Sequence, residues 1–370
     1  MRFSCSQSTL LKALNIVSKA VTSRTTIPIL KGILIKVDEE GFVTMSASDL
    51  EISIEDKFEV VDYEPGEIVV QAKIFSDIIH KLPSDIVYIE EKDGNLNIKC
   101  SSSELNIVGS PSDEFPIMNI EDLDEKRTFD KEILKNMIKS TTFAASLDES
   151  RGVITGVLIE TEEDSLNLVA LDGFRMAVAR ERMKNESLKN IVIPARIMNE
   201  ISKIIQESDM DKDSVDFYLS EKRAVFIIDN IKVVVRLLDG EYVRYRDILP
   251  KESQIKVVLN RTDLMNAIER ASIFAKVGKN NLIRLSIEDN IMEITSKSEE
   301  GHVREEVIIS KEGKDLVIGF NSKYLLDSIK AIDDENIVML FNTPISPCLI
   351  RPIEGNEYEH LVLPVRITNI

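Results

Sequence analysis

Few of the residues able to do chemistry in this 370-residue chain stand in the spacings that chemistry requires. His80, His302 and His360 are scattered, and with Cys5, Cys100 and Cys348 they form no HExxH, no CxxC pair and no other metal-ligand spacing. Gly278-Lys279 and Gly313-Lys314 lack the upstream glycine and the following Ser or Thr of a phosphate-binding loop. Gly152 and Gly156 lie in a strand-like run, and no GxSxG marks a nucleophile. Among 64 carboxylates an acid-base pair could exist, yet nothing singles one out. The expectation is a protein that is not an enzyme and holds no metal or cofactor. What does recur is cationic. Lys12 and Lys19, Arg196 and Lys203, and Lys323 and Lys330 stand seven residues apart, as do Lys73 and His80, while Lys131, Lys135 and Lys139 follow at intervals of four. Seven residues is close to two helical turns, so each pair falls on one line of a helix. Such rows suit contacts to a phosphate backbone that is followed without reading bases, and a solvated helix face would carry the same residues.

These cations need helices to position them, and the helices belong to a repeat. Three segments open with an amphipathic helix, at 8–21, 130–145 and 262–276. Each is followed by runs alternating with a period of two, as in Val43, Met45 and Ala47, which reads as half-buried antiparallel strand. A second helix follows in each, at 72–82, 195–207 and 321–332, and strands then resume. In the first helix Leu10, Leu14, Val17 and Val21 form the apolar stripe, opposite Lys12. The charged stretch 121–127 and the polar stretch 249–254 read as linkers. The expected fold class is α+β, with three repeated domains at 1–122, 127–250 and 254–370, each holding two helices packed on antiparallel sheet.

Charge separates along the same lines. With 46 Lys+Arg against 64 Asp+Glu the net charge is −18, which taken alone speaks against nucleic acid. The six helical segments, with the fifth carried on to Lys279, however hold 14 basic and 8 acidic residues, a net of +6, leaving 32 basic and 56 acidic elsewhere, a net of −24. No acid precedes Asp38, whereas Arg2, Lys12, Lys19, Arg24, Lys31 and Lys36 all do. If the helices share one side of an assembly, that side is positive and the back is acidic. No apolar run approaches the ~20 residues needed to cross a bilayer, and the first residues carry no secretory stretch. Three widely separated cysteines argue for a reducing cytoplasm rather than a disulfide framework.

A tripled α+β unit of this length resembles the bacterial sliding clamps, the beta subunits of the replicative DNA polymerase. Arg24-Thr-Thr-Ile-Pro-Ile-Leu30, Ser48-Asp-Leu-Glu51, Leu171-Asp-Gly-Phe-Arg175 and Leu361-Val-Leu-Pro-Val-Arg366 carry the likeness, in register with the repeat and across the whole chain. The resemblance implies a processivity factor of DNA polymerase III holoenzyme in DNA replication, a DNA-binding, nucleoid-associated cytoplasmic protein. It would be a head-to-tail homodimer closing six domains into a ring around duplex DNA without sequence preference. By the resemblance Arg24, Lys73 and Arg196 contact DNA, and the helix rows add Lys12, Lys135 and Lys139. Leu105 and Ile107 would meet Ile273 and Phe274 across the dimer interface, although these apolar residues could equally be core.

The resemblance further implies a pocket that takes short linear peptides from the polymerase catalytic subunit and the clamp loader. Its residues would be Ile154, Leu171, Gly173, Phe174, Arg175 and Met176 on one side, and Val243, Arg246, Pro347, Leu363, Pro364, Val365 and Arg366 on the other. Apolar anchors need such a cleft, with Arg and backbone groups at the rim fixing orientation. Gly173 after Asp172 equally reads as a hairpin turn, and Met176 as core. Leu171, Phe174 and the stretch 242–245 depart from the family pattern. The alternative is a clamp-fold scaffold that binds partners without encircling DNA.

Overall fold

The computed structural model describes residues 1–22, 25–116, 118, 123–124, 126–184, 189–208, 212–278 and 280–367. Each repeat runs strand, helix, four strands, helix, three strands, and the first adds a short strand, Val61–Glu64. The helices are α1 (Gln7–Val17), α2 (Ala72–Lys81), α3 (Lys131–Lys139), α4 (Ala195–Glu207), α5 (Arg261–Val277) and α6 (Ser322–Lys330).

Local chemistry sets their ends. The Ser6 hydroxyl accepts the Thr9 N–H at 3.1 Å, Asp130 accepts that of Ile133 at 2.9 Å, Asn260 those of Thr262 and Asp263, and Asn321 that of Lys323. Each such cap stabilises its helix by about 1 kcal/mol. The helix expected to reach Ala145 stops at Lys139, because the Ser140 and Thr141 hydroxyls both donate to the Met137 carbonyl, at 3.1 and 2.8 Å. Short hydroxyl side chains compete in this way with the helical ladder, and the chain turns into the brief 3₁₀ segment Thr142–Ala144.

The chain forms two compact units, residues 1–134 with 200–237 and residues 135–199 with 238–370. One is built on a thirteen-stranded sheet and the other on a twelve-stranded sheet, with antiparallel pairing throughout. Strands of the second repeat enter both sheets. In the first unit Ile231–Arg236 pairs with Ile52–Glu59, and in the second Arg175–Arg182 pairs with Tyr358–Val362. Alternation buries one face, as where Ile255, Val257 and Leu259 meet Leu264 and Ile268 of α5 and Leu325 and Ile329 of α6. No described helix is long and apolar enough to cross a membrane.

The two junctions between repeats begin alike. The Arg236 N–H donates to the Glu51 carbonyl, and the Leu363 N–H to the Phe174 carbonyl, both at 2.8 Å. Each junction sits at a hairpin tip turned by an aspartate: Asp49 accepts the N–H groups of Glu51 and Ile52, and Asp172 those of Phe174 and Arg175. Both tips need a left-handed residue. The second places Gly173 there at φ +88°, whereas the first holds Leu50 at φ +73°. A side chain with Cβ is disfavoured in that region by roughly 1 kcal/mol. Leu50→Gly is therefore expected to be more stable than Leu50→Ala by about 1 kcal/mol. Urea unfolding of the two variants side by side checks this, and equal midpoints would contradict it.

Candidate functional site

The hairpin tip of the second unit organises one surface. Asp172, buried, also accepts from the Arg175 Nε at 3.0 Å, and Arg175 Nη1 donates to Asp327 on α6 at 2.6 Å. The guanidinium lies over the Tyr324 ring at 4.7 Å and near the Phe143 ring at 5.5 Å, leaving Arg175 only 6% exposed. It therefore builds the wall of the surface and does not stand at its rim. Its neighbour Phe174 turns outward, 56% exposed, and stacks on Tyr324 with centroids 5.9 Å apart and planes 19° from parallel. The Arg151 guanidinium donates to the Asp172 carbonyl and stands 3.2 Å from where a Cβ on Gly173 would be, a tight approach that adds to the preference for glycine at a φ of +88°.

The tail runs beside this tip. Leu363 is bonded through its backbone to Phe174, Val365 N–H donates to the Gly319 carbonyl at 2.8 Å, and Leu363 and Arg366 are exposed while Pro347, Pro364 and Val365 are half-buried. Beneath lie Ile154, Leu171 and Met176, packed in one apolar cluster with Leu361, Leu340 and Tyr245. The sequence missed Tyr324 and Asp327, which stand three apart on α6 and so share a face, and also Phe143 and Arg151.

Val243 and Arg246 belong to a second feature. They line a cavity of about 600 Å³ with Leu158, Glu160, Asn190, Val192 and the rest of 240–247; Gly173, Phe174 and Leu363 are not among its walls. Glu160 ties this loop to the sheet. It accepts two bonds from Arg246, at 2.9 and 2.7 Å, one from the Tyr245 hydroxyl at 2.7 Å and one from Asn167 at 3.2 Å. Burial pushes its carboxyl up, but the bonds from Arg246 and Tyr245 outweigh that and hold it below the usual carboxylate range.

The helix rows are less bare than the charge count implied. Lys131 is buried and paired with Asp229 at 2.9 Å, so it presents nothing to solvent. Lys19 pairs with Glu207 at 2.9 Å, Lys139 with Asp333 at 2.6 Å, Lys203 with Glu200 at 2.8 Å and Lys330 with Glu269 at 2.7 Å. Lys73 and Arg196 are exposed, and Lys12 and Lys135 half-buried. Lys12 stands beside a hollow of about 340 Å³ with Ser8, Thr9, Asp56 and Asn230. Arg24 lies outside the described residues. Exposed pairs of this kind contribute about 0–1 kcal/mol each and exchange readily for other partners.

Leu105 and Ile107 lie half-buried on strand Ser103–Ser110, which pairs along its length with Asn95–Cys100 but, among the described residues, on its other side only through Gly109 and Ser110. Strand Gly301–Glu312 is likewise open on one side over 301–308 among the described residues. On α5, Ile273 and Val277 are 62% and 63% exposed, and the Phe274 ring packs on Gly301, 3.0 Å from where a Cβ would stand.

The three cysteines and His360 are all buried. Burial pushes the Cys5 thiol up to about 12 and raises those of Cys100 and Cys348 as well. His360, wholly buried beside Phe143 and Tyr358, is held down to about 4 by burial, and its Nδ1 lies 3.0 Å from the Ser328 carbonyl. Among the described residues no three His, Cys, Asp or Glu side chains gather as metal ligands.

Comparison with known proteins agrees along the whole chain. Residues 1–119 match the DNA polymerase III beta subunit, N-terminal domain; residues 128–243 its central domain; and residues 246–366 its C-terminal domain. The beta sliding clamp of Staphylococcus epidermidis is 36% identical over 379 aligned residues, covering 99% of both chains. The crystal structure of the Bacillus subtilis DNA polymerase sliding clamp superposes with a TM-score of 0.93 at 34% identity, covering 100% of both chains. That of an Eubacterium rectale DNA polymerase III beta subunit gives 0.92 at 36% identity, covering 99% of this chain and 100% of the other. With all three of its domains matched in order, the chain belongs to the DNA polymerase III beta subunit family.

Proposed function

We propose that this protein is a sliding clamp, a processivity factor that closes as a head-to-tail homodimer around duplex DNA and tethers the replicative polymerase. The observation that supports this best is the pair of open strand edges. Each repeat can offer a hairpin strand to the last strand of the next repeat, and two such junctions are made within the chain. Among the described residues the last strand of the first repeat, 103–110, and the hairpin strand of the third, 301–312, remain open on one side over most of their length. An open edge is a template for another chain, and a second copy offers the complementary one. Six domains, from 1–122, 127–250 and 254–370 of each protomer, would then complete a ring. Leu105, Ile107, Ile273 and Phe274 would be covered at its two interfaces.

DNA would be held by enclosure, so individual contacts can be weak. Lys12, Arg24, Lys73, Lys135, Lys139 and Arg196 would touch phosphate, with carboxylates such as Asp333 competing for the same cations. The surface of Phe174, Leu363 and their neighbours would take short apolar peptides from the polymerase and from the protein that loads the ring. Sedimentation of the full-length protein tests the assembly. A dimer of twice 41.8 kDa is expected, and a monomer at every working concentration would favour a scaffold that does not encircle DNA.

A further inference from the structure

We infer that an ion pair between Glu104 of one protomer and Arg304 of its partner sets the register of the dimer interface. This rests on the head-to-tail reading above and goes further, because the strand pairing within the chain specifies which residues must meet.

Correspondence between repeats follows from register alone. The residues that precede the second helix, Gln71, Pro194 and Asn321, lie opposite Gly32, Gly156 and Leu282. Two residues on, Leu34, Leu158 and Arg284 oppose Ser46, Val169 and Thr295, which oppose Glu55, Val178 and Arg304. These last three therefore hold one position in the hairpin strand. The residues that cap the first helix, Ser6, Asp130 and Asn260, lie opposite Ile86, Ser214 and Asn336. Three residues on, Ile89, Phe217 and Met339 oppose Ile98, Phe226 and Ile350, which oppose Leu105, Val233 and His360. One residue before those stand Glu104, Lys232 and Glu359, again one position, now in the last strand.

The two junctions made within the chain join these positions in one way. Glu55 lies opposite Lys232, with their charged groups 3.3 Å apart, and Val178 lies opposite Glu359. The combination left over is Arg304 with Glu104, the Glu55–Lys232 pair with its charges exchanged. Both side chains are available, 63% and 67% exposed. In the single chain Arg304 bonds Glu293 and Glu306 on its own sheet, and Glu104 bonds Lys99 at 3.1 Å. The same register puts Leu105 opposite Val303, and Ile107 opposite Gly301, against which the Phe274 ring packs. Opposite charges facing across antiparallel strands stabilise modestly and like charges repel, so such a pair discriminates between registers more than it adds affinity.

The test uses the full-length protein with Glu104→Arg, Arg304→Glu, both together, and Ile273→Asp, by sedimentation velocity over a dilution series at low and high salt. Each single reversal is expected to weaken the dimer about tenfold at low salt, and the double reversal to return to within about threefold of the parent. Ile273→Asp is expected to weaken it about a hundredfold at either salt concentration. A double reversal as weak as the two singles combined would overturn the register, while a loss in Ile273→Asp would leave the interface itself standing. If Ile273→Asp also left the dimer unchanged, the head-to-tail reading would fall with it.

Discussion

Asp172→Ala is expected to lower the affinity of the full-length protein for a short peptide with aliphatic and aromatic anchors about a hundredfold, as read by fluorescence polarisation of a labelled peptide. One carboxylate here does three things. Its Oδ1 holds the Phe174 and Arg175 amides at 2.8 and 3.0 Å, its Oδ2 holds the Arg175 Nε at 3.0 Å, and it is itself buried. Alanine leaves two amides unanswered and a buried guanidinium with Asp327 as its remaining ion-pair partner. Buried groups that lose charged partners cost about 1.5–3 kcal/mol each, and the hairpin tip would relax rather than bear that. Phe174 would then lose its place against Tyr324, and Leu363 the carbonyl it is bonded to. Asp172→Asn keeps an acceptor for the amides and should lose only about tenfold. Unchanged binding by Asp172→Ala would remove this surface from consideration as the peptide site.

Asp229→Ala is expected to destabilise the first unit by about 1–3 kcal/mol, because it removes a carboxylate that accepts two bonds from the buried Lys131 ammonium. Its carboxylate lies 2.9 and 3.0 Å from the Lys131 ammonium, and the two side chains are 11% and 6% exposed. Without it a largely buried ammonium loses two charge-assisted bonds, whereas replacing both side chains removes the group that would miss them. Lys131→Met combined with Asp229→Asn should therefore recover most of the loss, asparagine being tolerant of the φ of +54° at that turn. Urea unfolding followed by far-ultraviolet circular dichroism suits a chain without tryptophan. A double variant no more stable than Asp229→Ala would show that the pair matters for some reason other than buried charge.

The repeat, its two helices per unit and the edges of most elements were legible, because periodicity and caps act over a few residues. Asn260, Asn321, Ser6 and Asp130 announce helices whichever fold follows. What was not legible depends on partners far along the chain. Lys131 shares a spacing with Lys135 and Lys139, but the first residue of α3 turns toward a hairpin near residue 229, and only the fold reveals that. The surplus of cations on the helices was correctly counted, yet Glu207, Glu269 and Asp333 answer several of them. Arg175 stands in a motif that the resemblance assigns to the pocket, but its burial is not legible there: two aspartates and two rings draw it inside. Tyr324 and Asp327 give no periodic signal, since the Phe174 and Arg175 they meet lie far away along the chain. The open edges at 103–108 and 301–308 are invisible to periodicity, since a strand looks the same whether it has one neighbour or two.

Enclosure of DNA is most directly tested by loading the protein on nicked circular duplex, dividing the sample, linearising one half, and following retention through a salt series by gel filtration. A closed ring stays on the circle at salt concentrations that dissolve its phosphate contacts and leaves the linear form through its ends. Equal loss from both forms at the same salt would contradict topological holding and leave only a charged surface that binds DNA from one side.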